Sequence, residues 1–171
     1  VDCLKNHWNM DPEKIALAIT SKTKAIIPVH LYGHPCDMLN IMNIAKKHKL
    51  FVIEDCAEAP GAIVDGKKVG SIGDIGCFSF FGNKIITTGE GGMCTTNNLD
   101  LNEKMRVLRD HGMDKSKRYW HNEIGYNYRM TNLNAAIGVA QMEQVENFLN
   151  KRQLLKTQYD KYINFDSNLL N

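Results

Sequence analysis

Leu50-Phe51-Val52-Ile53-Glu54-Asp55 is the stretch on which the fold turns: a fully apolar run of strand type that stops abruptly in two acids. Immediately before it, Asp37 can cap a helix in which Leu39, Ile41, Met42, Ile44 and Ala45 give an apolar face, while Lys46, Lys47 and Lys49 favour the C-terminal end. Before that helix, Lys24-Ala-Ile-Ile-Pro-Val-His30 reads as a short buried strand whose Pro28 marks an edge or an end, followed by a turn at Gly33-His34-Pro35. Strand, helix, strand in this rhythm is a βαβ unit. Its two strands pair in parallel through a right-handed crossover, and the chain is of the α/β class. Asp11-Pro12-Glu13 starts an earlier helix that runs to about Thr20, with a capping Asp, a Pro at the first helical position and an acid in the first turn.

On the other side of the strand, Gly61 to Gly73 is glycine-rich, with Asp65-Gly66 as a hairpin turn before the sheet resumes. Ile75 to Phe80 and Gly91 to Thr96 read as strands. Leu99 to Arg109 reads as an amphipathic helix with Leu101, Met105 and Leu108 at helical spacing. His111 to Tyr126, aromatic and charged without a period, predicts a long surface loop of the kind that often carries function. From Thr131 to about Ile163 the pattern is helical throughout. Its small residues Ala135, Ala136, Gly138 and Ala140 predict close packing against a neighbour, and it turns polar after Gln144. No internal repeat, low-complexity tract or second domain stands out.

With 171 residues, 43% hydrophobic and 23% charged, the chain has the composition of a globular protein with a core of its own. Its 21 basic and 19 acidic residues are scattered, so neither nucleic acid nor an acidic membrane surface is an expected partner. The five cysteines, Cys3, Cys36, Cys56, Cys77 and Cys94, are widely separated and form no C-x-x-C pair. They predict reduced packing residues in a cytoplasmic protein. No apolar segment approaches a membrane span. The sequence enters ordered-looking pattern almost at once from Val1, as a piece of something longer would.

The chemistry centres on Gly76 to Gly92, Gly-Cys-Phe-Ser-Phe-Phe-Gly-Asn-Lys-Ile-Ile-Thr-Thr-Gly-Glu-Gly-Gly, where Lys84 is the lone charge between Ile75 and Thr88. A lysine that loses solvation has a lowered pKa and an amine free to attack a carbonyl, which points to a Schiff base with pyridoxal 5'-phosphate (PLP). That cofactor also needs an acid to keep its ring nitrogen protonated and donors for its phosphate. Asp55 stands at the carboxyl end of a parallel strand, where ligands of open α/β sheets bind. Ser79 precedes the lysine with a hydroxyl to offer, and the glycines after Lys84 allow backbone to approach closely. Each residue has an ordinary reading beside this one. Asp55 can cap a turn, a lysine is by default solvated, and a glycine cluster is more often a turn than a phosphate cradle.

Val52-Ile-Glu-Asp-Cys-Ala-Glu-Ala59, Gly73-Asp-Ile-Gly-Cys-Phe-Ser-Phe-Phe-Gly-Asn-Lys-Ile-Ile-Thr-Thr-Gly-Glu-Gly-Gly-Met93 and Gly125-Tyr-Asn-Tyr-Arg-Met-Thr-Asn132 together resemble the DegT/DnrJ/StrS family of PLP-dependent sugar-nucleotide aminotransferases. The resemblance covers nearly the whole chain in order. Phe80-Phe-Gly-Asn-Lys-Ile-Ile-Thr-Thr88 and Arg118-Tyr-Trp-His121 are most similar to its perosamine-forming subgroup.

The resemblance implies a three-layer α/β/α large domain of PLP fold type I with a mostly parallel sheet. Residues 1–171 would be its central part, ending in a long helix, with an N-terminal segment and a C-terminal small domain absent. It implies Lys84 as the Schiff-base and proton-shuttling lysine, Asp55 on the pyridine nitrogen, and Ala57 small beneath the ring. Glu58, where the family often has Gln, would lie near the ring hydroxyl. Ser79 would bind the phosphate, and Asn127 would reach the phosphate of the partner's site in a homodimer. The implied reaction moves an amino group, with glutamate as donor, to the 4-keto carbon of a nucleotide-linked 4-keto-6-deoxysugar. Lysine rather than histidine at position 84 favours transamination over dehydration. The family's Gly-Thr pair at a helix N-terminus, a major phosphate anchor, has no counterpart here, so this chain alone is expected to bind PLP weakly and to be weak or inactive.

Other readings stand beside it. A non-catalytic remnant of the fold would keep the architecture without turnover. His30, His34 and Cys36 offer a metal-like grouping with no second cluster to complete it, so no metal is expected. Gly70, Gly73 and Gly76 have the wrong spacing for a dinucleotide fingerprint. Arg118, Trp120 and His121 lie in the loop expected to meet the sugar nucleotide, without assigned roles.

Overall fold

The computed structural model describes residues 1–163, and in it the strand, helix, strand unit stands where the sequence places it. Helix α1 (Pro12–Ala18) is capped by Asp11, whose Oδ1 accepts from the Glu13 N–H at 2.9 Å. Strand β1 is cut to Ala25–Ile26, because Pro28 has no N–H to continue the ladder. The chain stays in register beyond the proline. Asp55 N–H donates to the Pro28 carbonyl at 2.9 Å, and His30 N–H donates to the Asp55 carbonyl at 3.1 Å.

Helix α2 (Met38–His48) is capped by Asp37, with Oδ1 accepting from Asn40 N–H at 3.1 Å, and closed by Lys49 in the left-handed region at φ 55. Met38, Ile41 and Ala45 are its buried stripe. Leu39, expected on the apolar face, is 62% exposed, because one residue's turn of about 100° takes it off the stripe centred on Met38 and Ile41. Strand β2 (Phe51–Asp55) pairs in parallel with β1, Ile26 opposite Val52. A hairpin of β3 (Ile63–Val64) and β4 (Lys67–Lys68) turns through Asp65 at φ 47 and Gly66 at φ 75, the two positive angles a tight two-residue hairpin needs.

Strand β5 (Ile75–Ser79) pairs in parallel with β2, and β6 (Gly92–Thr95) pairs antiparallel with β5, so the four-stranded sheet runs β1-β2-β5-β6 and is mostly parallel. Helices α1 and α2 cover one of its faces. Ile15, Ile26, Cys36, Met38, Ile41, Ala45 and Val52 form one core cluster there. Fully burying a side chain such as Ile41 contributes about 1.5–3 kcal/mol. Strand alternation puts Val52 and Glu54 on this face and Ile53 and Asp55 on the other. Phe51 is 58% exposed and Ile53 half-buried, so within the apolar run only Val52 is fully buried.

Helix α3 (Leu99–Leu108) follows, with Leu101, Met105 and Leu108 half-buried. The single helix expected from Thr131 to Ile163 is two, α4 (Asn132–Met142) and α5 (Val145–Tyr162). They part at Gln144, whose φ −110 and ψ 6 lie outside the helical well. The break falls where the sequence turns polar. Of the small residues on α4, Ala135 and Gly138 are half-buried, and a Cβ on Gly138 would stand 3.1 Å from Thr88 Cγ2, whereas Ala136 and Ala140 are exposed. Of the cysteines, Cys36 and Cys56 are core residues and Cys77 is half-buried, but Cys3 and Cys94 are exposed. No helix among the described residues is long and apolar enough to cross a membrane.

Candidate active site

The lysine loop is closed at its neck by backbone chemistry. The Phe80 carbonyl accepts from Thr88 N–H at 2.9 Å and from the Thr87 hydroxyl at 3.1 Å, and Phe80 N–H donates to the Gly91 carbonyl at 2.9 Å. Inside the loop, Lys84 N–H donates to the Phe81 carbonyl at 3.0 Å, which makes residues 81–84 a turn with Lys84 at its end. Buried Ile86 and Thr88 root the loop. Helix α4 grips it from outside: Asn134 Nδ2 donates to the Thr88 carbonyl at 2.7 Å, and Gln141 Oε1 accepts from Thr87 N–H at 3.3 Å. Lys84 itself is half-buried and forms no ion pair among the described residues.

Asp55 ends β2 directly opposite Cys77 of β5, so the two side chains share a face, and Ser79, two residues on, shares it too. Asp55 Oδ1 accepts from Ala57 N–H at 3.0 Å, and Ser79 Oγ accepts from Phe81 N–H at 3.3 Å. Cys77 lies opposite Cys94 of β6; burial, reinforced by Cys94 and by Asp55, pushes its thiol up to about 11. The structure therefore brings Asp55, Ala57 and Ser79 to the carboxyl edge of adjacent strands, with the Lys84 loop springing from that edge. Glu58 is exposed, and its Oε2 accepts from Tyr32 N–H at 2.8 Å, tying it to the turn after β1. Asn127 stands apart on the loop after α3, exposed, its backbone bridged to Asp110. That loop is organised by Asp114, held down to about 2 by hydrogen bonds from Ser116 and Asn122. In it Lys117 stands over the Trp120 ring at 3.9 Å, and the His121 Nδ1–H donates to the His111 carbonyl at 2.8 Å.

The sequence reading missed a buried acid. Glu54 and His30 are both wholly buried, with His30 Nε2 at 3.2 Å from Glu54 Oε2. Cys36 N–H donates to His30 Nδ1 at 3.0 Å, so that nitrogen carries no proton, the ring is neutral, and Nε2–H donates to Glu54. Gly70 N–H shares Oε2, while Ile72 and Gly73 N–H donate to Oε1 at 2.8 and 2.7 Å. Burial alone would raise the Glu54 carboxyl; the His30 bond and the three amides outweigh it and hold the group below its ordinary value. An acid set one residue inside the end of an apolar strand, on the face opposite Asp55, was the signal available.

The metal-like grouping of His30, His34 and Cys36 does not form. The Cys36 thiol donates to the Val29 carbonyl at 3.1 Å and is pushed up to about 11 by burial, and the His34 ring lies against His7. His30, Glu54 and Cys56 do converge within 4.8 Å of one another. Yet Nε2 there is protonated, both Glu54 oxygens are taken by N–H donors, and burial pushes the Cys56 thiol up to about 12. That is a satisfied polar core rather than a set of free ligands.

Residues 1–165 match the DegT/DnrJ/EryC1/StrS aminotransferase family. The chain belongs to that family. It is 57% identical over 154 residues to the GDP-perosamine synthase of Caulobacter vibrioides, covering 90% of this chain and 42% of that protein. To the GDP-perosamine synthase of Escherichia coli O157:H7 it is 53% identical, covering 96% of this chain and 45% of the other. Among solved structures, Helicobacter pylori PseC, an aminotransferase involved in the biosynthesis of pseudoaminic acid, superposes with a TM-score of 0.91 at 32% identity over 97% of this chain and 45% of that one. The chain thus spans less than half the length of the curated relatives it matches.

The donor set of this DegT-family chain fits PLP. Asp55 Oδ2, the Ser79 hydroxyl proton and the Asn127 amide have no hydrogen-bond partner among the described residues. Gly91, at φ 150, is packed from within the protein: a Cβ there would stand 2.6 Å from Thr88 Oγ1 and 3.0 Å from Met130 Cε.

Proposed function

We propose that the protein carrying this sequence is a PLP-dependent aminotransferase. It moves an amino group, from glutamate as donor, to the 4-keto carbon of a nucleotide-linked 4-keto-6-deoxysugar, in perosamine-type amino-sugar synthesis. Residues 1–171 serve as the central part of a larger cofactor-binding domain. The observation that carries the reading is a half-buried Lys84, without an ion-pair partner among the described residues, on a tightly closed loop that leaves β5, the strand paired with β2 at Asp55, just after Ser79. High identity to two GDP-perosamine synthases supports the sugar class. These relatives do not favour a non-catalytic remnant.

Bound PLP supplies an electron sink for the charge that develops on the substrate carbon. Asp55 Oδ2 holds the proton on the ring nitrogen, while Ala57 N–H fixes the other oxygen and so the direction of the carboxylate. Ala57 would leave room for the ring, and Glu58, its carboxylate steadied by Tyr32 N–H, would serve the ring hydroxyl. Ser79 donates to the phosphate. Lys84 Nζ would anchor the cofactor, and its amine would serve as the base that moves a proton at the substrate carbon. Asn127, exposed on a loop with Ile124 and Tyr128 also exposed beside it, completes the phosphate site of a second copy.

Titration with PLP, borohydride reduction and mapping of the modified lysine test this directly. Label on Lys84 is expected; label confined to other lysines overturns it. Assay with glutamate and a panel of 4-keto sugar nucleotides then tests the substrate class.

A further inference from the structure

Burying a carboxylate is costly unless donors surround it, and an apolar side chain would fill the Glu54 position without that cost. What the polar set adds is direction. His30 joins the end of β1 to Glu54 through Nε2–H and to the start of α2 through Cys36 N–H. Glu54 joins β2 to the Gly70–Gly73 backbone that leads into β5. Asp55, the next residue, has both its backbone groups bound to the segment bearing His30, through the Pro28 carbonyl and the His30 N–H. The strand end that carries Asp55 is therefore held in the sheet by its own backbone bonds to the segment after β1 and, on the opposite face, by the Glu54 side chain with its four donors.

We infer that the buried His30–Glu54 pair is a positioning device for Asp55, holding the carboxyl end of β2 between β1 and the loop before β5 and so setting where the free oxygen of Asp55 stands. Neither residue touches the cofactor; they act through Asp55. The inference rests on the proposed role of Asp55 at the ring nitrogen, but its first readout does not. Ala57 N–H donates to Asp55 Oδ1 and reports the direction of that carboxylate without cofactor.

The test compares Glu54→Gln with wild type. The amide keeps the volume but sets an NH2 group against N–H donors that have no alternative acceptor. Amide exchange of Ala57 in the cofactor-free protein is expected to quicken about tenfold, with the α2 amides unchanged as a control for the fold. PLP affinity, read by absorbance of the bound cofactor, is expected to fall about tenfold, the scale of losing a supporting contact behind a ligand. In an Asp55→Asn background the same substitution is expected to change that affinity less than about twofold, because no charged carboxylate remains to be aimed. His30→Leu, which removes one donor and leaves three, serves if Glu54→Gln fails to fold, and His30→Gln, which keeps a donor and an acceptor, is expected to restore the Ala57 amide. An Ala57 amide unmoved by both Glu54→Gln and His30→Leu, or equal loss of PLP affinity in both backgrounds, overturns the inference. If wild type binds no PLP, the proposed function fails while Ala57 exchange still decides the positioning.

Discussion

Asn134 Nδ2 donates to the Thr88 carbonyl at 2.7 Å across 46 residues of sequence, and through it α4 holds the neck of the lysine loop. Asn134→Ala removes that bond and its weaker companion to the Glu90 carbonyl. The expected cost is about 1 kcal/mol in urea denaturation. Faster exchange is expected at the Phe80 and Thr88 amides, which close the loop. Unchanged exchange at both would mean that α4 does not hold the loop.

Gly76 and Gly89 are predicted to respond differently to the same added methyl. Gly76 is buried in β5, and a Cβ there would stand 2.5 Å from Gly70 Cα and 2.6 Å from Thr95 Oγ1. Backbone on the first side cannot give way, so Gly76→Ala is expected to cost about 1–3 kcal/mol or more from overpacking. Gly89 has open space but φ +79, so Gly89→Ala costs only the left-handed penalty of about 1–2 kcal/mol. Paired urea curves decide it; a Gly89→Ala loss exceeding that of Gly76→Ala would contradict this account.

These contrasts separate what the sequence carries locally from what packing decides. Asp11 and Asp37 cap their helices as expected because a cap is a contact within three residues, and Asp65-Gly66 turns its hairpin because two positive φ angles are a property of those residues alone. Asp55 and Ser79 come to one edge because parallel pairing follows from the βαβ rhythm. Glu54 escaped because its partners, Gly70 to Gly73 and His30, lie 16 to 24 residues away, and nothing in a strand pattern tells a buried acid from one at a strand end. The break at Gln144 escaped for a similar reason: helix periodicity on both sides is good, and the backbone kink carries no glycine or proline.

Acid should act on Glu54 in a definite direction. Its folded pKa lies below the ordinary carboxylate value, so as pH falls the unfolded chain takes up the proton first and folding becomes less favourable. The stabilisation is fully present above about pH 4.3 to 5 and is lost as pH falls through the depressed folded value. Wild type is expected to lose stability on acidification in that window, and Glu54→Gln, less stable at neutral pH, to show a flatter profile there. Chemical denaturation from about pH 6 down to about pH 3 measures it; parallel profiles for the two proteins would remove Glu54 from the account.

The proposed sharing of sites between two copies makes a sharper demand. If Asn127 completes its partner's site, then Lys84→Ala and Asn127→Ala proteins are each inactive, but in a mixed dimer both lesions fall in one site and the other is whole. Equal mixing after dissociation and reassociation makes half the dimers mixed, so about one quarter of wild-type activity should return. If Lys84 and Asn127 served the same protomer's site, every site in the mixture would carry one lesion and nothing would return. The exposed side chain of Asn127, without a hydrogen-bond partner among the described residues, leaves it free for the first arrangement. Recovery in the mixture, against none in either parent, is the expected outcome.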